Sequence, residues 1–173
     1  MKKVLLDSVD STNNYAETIA HAADENILII ANDQTRGRGQ FNRTWFSEPG
    51  KSITMSFLLR NDPTKSLDAT KLNRIPEIIV DSIKELYGIE ARVVPPNDIY
   101  IGERKVCGLL VETHYEAQKF KHAIVGIGIN LNNDTFPADI AETATSISHE
   151  LNHSANADEL IDSLERKVEL LYA

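Results

Sequence analysis

Gln34-Thr-Arg-Gly-Arg-Gly-Gln-Phe-Asn-Arg-Thr-Trp45 is the stretch from which the rest of the chain can be read. It holds three arginines (Arg36, Arg38, Arg43), two glycines (Gly37, Gly39) and the chain's single tryptophan. An apolar run, Ile27-Leu-Ile-Ile-Ala31, precedes it, and a second, Ser52-Ile-Thr-Met-Ser-Phe-Leu-Leu59, follows. Short runs of this kind, bounded by Gly, Pro and Asn, are strands. A loop between strands that alternates glycine with arginine brings backbone N–H groups and guanidinium forks close to a ligand, and suits a phosphate or carboxylate. A solvated basic turn has the same composition, and the loop alone leaves both readings open.

On the N-terminal side, Val4–Leu6 is a short strand, and a helix runs from Asn13 to about His21 with Tyr15, Ala16, Ile19 and Ala20 on one side. Asp10, Ser11 and Thr12 are good N-caps, and taken by themselves Ser11-Thr12-Asn13 are a cap and nothing more. On the C-terminal side, Pro49-Gly50 makes a turn, a strand runs from Ser52 to Arg60, and Asn61 to Thr64 ends it. Ser66 to Tyr87 carries a helical stripe from Leu72 onward, interrupted by Pro76 and stopped at Gly88. Ile89–Val94 is a strand, Pro95–Asp98 a rigid corner, and Ile99–Ile101 with Lys105–Glu112 a hairpin about Gly102. Phe120–Asn130 is a further strand whose Gly126 and Gly128 mark either close approach of a ligand or a bulge. Thr145-Ser146 caps a helix through Leu151, and a last helix starting at Asn156 or Ala157 places Leu160, Ile161, Leu164, Val168 and Leu171 on one stripe. The expected fold is α+β, a mostly antiparallel sheet backed by helices.

The 173 residues suffice for one domain with a sizeable core. Acidic residues outnumber basic ones, 26 to 18, for a net charge of −8, the opposite of a nucleic-acid-binding balance. The basic loop is therefore a local feature of an acidic molecule, and nucleic acid is not an expected partner. A single cysteine, Cys107, excludes an intrachain disulfide and a cysteine-based metal cluster. The N-terminus lacks a signal-type apolar core, and no run approaches the ~20 apolar residues that span a bilayer, so no membrane association and a cytoplasmic location are expected.

Seven motifs in order carry a family resemblance: Asp10-Ser-Thr-Asn13, Gln34-Thr-x-Gly-Arg-Gly, Trp45-x-Ser47, Pro96-Asn-Asp98, Arg104-Lys-Val-Cys-Gly-Leu-Leu-Val-Glu112, Gly126-Ile-Gly-Ile-Asn130 and Ala144-Thr-Ser146. Together they resemble the catalytic domain of biotin protein ligases, in the biotin/lipoate ligase superfamily with its class II aminoacyl-tRNA synthetase-like fold. The resemblance implies an ATP- and Mg²⁺-dependent activation of biotin to biotinyl-5′-AMP. Transfer to a lysine of the biotin carboxyl carrier domain of a biotin-dependent carboxylase then follows. It leaves open a homodimer.

By the same resemblance Arg38, Lys105 and Asp98 are the catalytic positions, Arg38 neutralising carboxylate and phosphate within a loop that closes over the ligand. Asp98 would hold Mg²⁺ or the incoming lysine, with Asn97 orienting it. Ser11, Thr12, Gln34, Gly37 and Arg38 match the biotin-head positions, and Gly108, Leu110 and Gly126 match the pocket wall. Gly39, Arg43, Trp45, Asn97, Lys105 and Asn130 match adenylate-side positions, Trp45 by stacking and Asn130 by hydrogen bonding to adenine. Without the motif, Lys105 reads as a solubilising edge charge, Asn97-Asp98 as an Asx turn. Cys107 could suggest the acyl-cysteine chemistry of octanoyltransferase relatives, but a small buried strand residue fits it better.

The chain departs from the family pattern at Val94-Pro95, where a Lys-Trp pair is usual, and at Gln40, where many members keep a basic residue. Arg36 and Arg43 could compensate in charge if they point inward. The chain is expected to be a single catalytic domain, 1–173, with no N-terminal winged helix, hence no repressor activity, and no C-terminal SH3-like domain. Two other readings stay open: a non-catalytic or adenylation-only homologue, favoured by the two departures, and a lipoate or other acyl ligase, which would need a longer apolar pocket.

Overall fold

The computed structural model describes residues 1–61 and 69–171. Asp62–Thr64 of the expected strand end, and Ser66 with Leu67 at the start of the expected helical stretch, lie outside the described residues. Strands β1 (Lys2–Leu6), β2 (Ile27–Ala31), β3 (Ser52–Arg60), β4 (Arg92–Val94), β5 (Asp98–Ile101), β6 (Arg104–Glu116) and β7 (Lys119–Asn130) form a seven-stranded sheet in the order β1-β2-β3-β7-β6-β5-β4. Only β1 and β2 pair in parallel; the other neighbours are antiparallel. The helices are α1 (Thr12–Ala20), α2 (Ala69–Leu72), α3 (Ile75–Tyr87), α4 (Ile147–Leu151) and α5 (Ala157–Leu170).

Strand periodicity divides the sheet's two faces. Met55, Phe57 and Leu59 of β3, Val125 and Ile127 of β7 and Leu109 of β6 join the main core with Ile75, Ile79 and Ile83 of α3 and Leu160, Leu164 and Val168 of α5. On the opposite face, Ile27 and Ile29 of β2, Leu58 of β3 and Ile124 of β7 pack against Ala16 and Ala20 of α1. That second cluster is small, because α1 covers only part of its face. The rest of that face is where Gly108, Gly126 and Gly128 lie.

Several boundaries differ from the sequence expectation for identifiable reasons. Pro76 limits the helix as expected, in that it falls in the first turn of α3, where its missing N–H costs nothing, while α2 ends before it. The strand expected over 89–94 shortens to Arg92–Val94. β6 runs on to Glu116 and joins β7 through a tight turn whose Ala117 and Gln118 both have positive φ, the conformation of a two-residue hairpin loop. Ser146 caps α4 as expected, accepting from the His149 N–H at 3.3 Å.

Candidate functional site

The basic loop folds back on itself as a miniature hairpin. Trp45 N–H donates to the Gly37 carbonyl at 2.9 Å, Gly39 N–H donates to the Arg43 carbonyl at 2.8 Å, and Arg38 bridges Thr44 between them. The tip, Gln40–Asn42, carries Phe41 and Asn42 at positive φ, with Phe41 82% exposed. A Cβ on Gly37 would stand 2.6 Å from the Trp45 carbonyl oxygen, so this glycine is required by the loop's own second limb. The loop roofs a cavity of about 610 Å³ whose floor is the glycine-bearing face of β6 and β7.

Gly108 and Gly128 are directly opposed across β6 and β7, and the Trp45 indole lies on them. A Cβ on Gly128 would fall 2.4 Å from the ring, and one on Gly108 2.9 Å from it. Gly126 serves Asn13 in the same way, with 2.3 Å between a hypothetical Cβ and the amide oxygen. The strand glycines are therefore neither bulges nor weak points; they let side chains from the loop and from α1 sit on the sheet. The indole N–H of Trp45 is buried without a protein acceptor.

A chain of hydrogen bonds links one end of the loop to its arginine through the start of α1. Gln34 Oε1 accepts from the Thr12 backbone N–H at 2.8 Å and from its hydroxyl at 3.1 Å. Ser56 Oγ of β3 lies 2.7 Å from Thr12 Oγ1 and 2.6 Å from Asn13 Oδ1. Asn13 Nδ2 donates to Glu112 Oε2 at 2.8 Å, and Arg38 donates to Glu112 Oε1 at 2.7 Å and to Asn14 Oδ1 at 2.7 Å. Ser11, Thr12, Asn13 and Ser56 are all buried. The cap explanation of Ser11-Thr12-Asn13 is incomplete: Ser11 is the N-cap by position, but its side chain makes no capping bond, and Thr12 and Asn13 turn toward the cavity. Asp10 supports the turn instead, accepting from Asn14 Nδ2 and from the Ser11 N–H, each at 2.7 Å; these two bonds hold its carboxyl below the ordinary carboxylate value.

Nearer β5, the Lys105 ammonium meets the Asp98 carboxylate at 2.8 Å and stands 5.5 Å from the centroid of a Trp45 ring. Both partners are about one-third exposed, open to the cavity they line. A strap of residues fixes the start of β6. Lys105 N–H donates to the Thr143 carbonyl and Thr145 N–H returns a bond to the Lys105 carbonyl, at 2.8 and 3.0 Å. Asn130 is buried at the end of β7 and donates through Nδ2 to the Thr145 carbonyl at 3.1 Å.

Of the positions singled out in the sequence, Ser11, Thr12, Gln34, Gly37, Arg38, Gly39, Arg43, Trp45, Asp98, Lys105, Gly108, Leu110, Gly126 and Asn130 all line this one cavity. Asn97 does not; its carbonyl accepts from the Leu109 N–H at 3.0 Å and anchors the corner to β6. The Arg36 side chain is 83% exposed, and its guanidinium lies 4.0 Å from the Asp10 carboxylate and outside the cavity, so it does not replace a missing inward charge. Arg43 faces the cavity. Gln40 reaches the Leu109 carbonyl at 3.4 Å, a neutral tie between loop tip and sheet. Cys107 points into the opposite core, fully buried, and burial pushes its thiol far above the ordinary range.

The sequence assigns no site role to Glu112 or Ser56, and marks Asn13 only as part of a cap and Gly128 only as a close approach or a bulge. Glu112 had a visible signal, since Gly108, Leu110 and Glu112 follow the two-residue period of one strand face. Ser56 had none beyond being a polar residue in an apolar run.

Residues 5–130 match the family model described as the biotin/lipoate A/B protein ligase family. The bifunctional ligase/repressor BirA of Bacillus subtilis is 37% identical over 147 residues, covering 82% of this chain and 45% of that protein. The biotin–[acetyl-CoA-carboxylase] ligase of Paracoccus denitrificans is 28% identical over 166 residues, covering 92% of this chain and 68% of that one. Among solved structures, the Aquifex aeolicus biotin protein ligase in complex with biotin and ATP superposes with a TM-score of 0.82 at 26% identity, covering 99% of this chain and 70% of that chain. The chain thus spans 45% of the length of the Bacillus relative. With the family model matching well over half of its residues, the chain belongs to the biotin/lipoate A/B protein ligase family.

Proposed function

We propose that this chain carries the catalytic unit of an ATP-dependent biotin–protein ligase, which activates biotin to biotinyl-5′-AMP and passes it to a lysine of a biotin carboxyl carrier domain. The observation that carries this reading is the make-up of the cavity. A glycine floor is bordered by neutral donors and acceptors from α1, by an ion pair at Lys105–Asp98, and by a roof bearing Arg38. Biotin is a ureido ring on an aliphatic acid; the ring needs paired neutral donors and acceptors, which Ser11, Thr12 and Gln34 supply. The named relatives and the Aquifex complex with biotin and ATP support the same assignment.

In the first step a carboxylate oxygen of biotin attacks the α-phosphorus of ATP. The bond to the β-phosphate bridging oxygen breaks, and pyrophosphate leaves. Two anions must approach, so fixed positive charge is the chief requirement. Lys105 offers a compact ammonium on a strand held by the Thr143–Thr145 strap. Arg38 offers a planar fork on the roof, in reach of the site by exchanging Glu112 for the ligand. Arg43, Gly39 and Asn130 border the nucleotide end, and Trp45 gives it a flat aromatic surface. In the second step the acceptor lysine amine attacks the acyl carbon and AMP departs. Closing the Gln34–Trp45 roof excludes water from the mixed anhydride meanwhile.

Magnesium fits the donor set as a partner of the triphosphate. Asp98 is a cavity-lining carboxylate of the kind that shares Mg²⁺ with phosphate oxygens, and its Lys105 partner is itself a phosphate-binding group. When bound, Mg²⁺ neutralises triphosphate charge. We place the protein in the cytoplasm, where ATP and carboxylase carriers occur; among the described residues no helix is long and apolar enough to cross a membrane.

A second reading, adenylation without efficient transfer, is favoured by Val94-Pro95 and Gln40, none of which brings a charge to the site. Two measurements separate the readings: biotin-dependent ATP–pyrophosphate exchange, and labelling of a purified carrier domain with radioactive biotin. Exchange with labelling supports the ligase. Exchange without labelling would leave adenylation alone, and neither would overturn both.

A further inference from the structure

On the same sheet face as the cavity, two residues beyond Glu112, β6 sets His114 directly opposite His122 of β7. Their imidazoles stack with centroids 4.9 Å apart and planes 9° from parallel. Glu17, one helical turn past Asn13 on α1, places Oε2 3.4 Å from His122 Nε2. One ligand atom from each of Glu17, His114 and His122 falls within 4.8 Å of the others. The His122 side chain is 4% exposed, against 36% for His114 and 52% for Glu17, so the cluster has a buried base and an open mouth. His21, the C-cap of α1, brings its ring edge-on to His114 at 6.1 Å between centroids. None of these residues has a part in the ligase chemistry proposed above.

We infer that Glu17, His114 and His122 form a binding site for a divalent transition-metal ion, with Zn²⁺ the best match. Two imidazoles and one carboxylate are a borderline donor set, suited to zinc or its first-row neighbours and ill-suited to Mg²⁺ or Ca²⁺. Tetrahedral zinc with ligands at ~2.0–2.1 Å separates its donor atoms by about 3.3 Å. The Glu17–His122 pair already has nearly that spacing, and His114 closes it by side-chain rotation at a half-open position. The three residues come from a helix and two strands, so each is fixed by the fold and not by a loop. Water or His21 completes the coordination.

An ion held there ties α1 to the β6–β7 hairpin. The same helix supplies Thr12 and Asn13 to the cavity, and the same strand supplies Glu112. The metal is a structural clamp behind the site, independent of whether the ligase reading holds.

The test uses the tag-free chain, treated with a chelator and dialysed, then titrated with ZnCl₂ by calorimetry and with CoCl₂ by visible absorption. One equivalent should bind at micromolar concentration, Co²⁺ should show the intense bands of a tetrahedral site, and Zn²⁺ should raise the melting temperature. Glu17→Gln and His114→Ala alter exposed or half-exposed side chains. Each should weaken Zn²⁺ binding at least about tenfold while the metal-free melting temperature and circular dichroism stay near wild type. Absence of binding by the wild-type chain would overturn the proposal, as would equal binding by both folded variants.

Discussion

Arg38 lies across the cavity roof with its guanidinium on Glu112, Nη2 to Oε1 at 2.7 Å, a loop residue held by a strand residue. The two side chains are 43% and 37% exposed, so the pair is worth little to stability. Its significance is positional, since it stores the loop's cation beside the place where negative charge is proposed to gather. Arg38→Ala should therefore lower biotin-dependent pyrophosphate exchange by ~10²–10³-fold while shifting unfolding free energy by less than about 1 kcal/mol. Stopped-flow release of biotinyl-AMP should be faster in the variant. A variant with normal exchange and a large loss of stability would assign Arg38 to the scaffold instead.

Lys105 is expected to act on the chemistry and not on the fold, because its partner Asp98 is as solvent-accessible as it is. Lys105→Ala should reduce kcat for adenylation by roughly 100-fold or more with an unchanged circular dichroism spectrum. Near-normal turnover would return Lys105 to the role of a surface charge.

Gly128→Ala places a methyl 2.4 Å from the Trp45 indole, and neither the strand backbone nor the roofing hairpin can yield that distance without moving the ring. The expected cost is about 1–3 kcal/mol if the ring is forced to stay. If it is expelled, the emission of the only tryptophan should shift to the red, which fluorescence reads directly.

Cys107 should resist alkylation in the folded protein, since it is fully buried and its thiolate is disfavoured. Iodoacetamide should label it only in denaturant, and Cys107→Ala should retain adenylation within a few-fold. Loss of acyl transfer in that variant with adenylation intact would revive an acyl-cysteine step.

Asp10 supplies an acid dependence. Its folded-state pKa is depressed, so its stabilising contribution is present above the unfolded value of ~3.9 and is lost as pH falls through the lower folded value. Asp10→Asn does not titrate; it keeps one accepting oxygen and so retains only one of the bonds from Asn14 and Ser11. Between pH 7 and 3 the wild type should lose more melting temperature than the variant, and equal losses would remove Asp10 from the acid response.

The strands were legible because their apolar runs and turn residues coincide: Ile27–Ala31 and Ser52–Arg60 appear as their composition indicates. Local periodicity also found α5 and the Ser146 cap. The family motifs collected most of the cavity, but motif position carried no information on direction. Hence Asn97 lies outside the cavity and Arg36 faces solvent, while Glu112, which no motif marks for a role, pairs with the central arginine. These outcomes depend on pairings between β6, α1 and the loop, which are distant in sequence. Pro76 shows the complementary lesson, a residue that breaks a helix interior but starts a helix when it falls in the first turn.

In the chain of bonds from Gln34 through Thr12, Ser56 and Asn13 to Glu112, these side chains are already partnered by one another. A ligand entering there exchanges bonds instead of adding them, so net affinity is a small difference between two nearly equal sets. Selectivity then comes from mismatch: an analogue lacking one N–H or C=O leaves a buried partner stranded, at about 1–3 kcal/mol each. On the proposed function, such a site would discriminate sharply while holding its proper ligand only as tightly as release after each turnover allows.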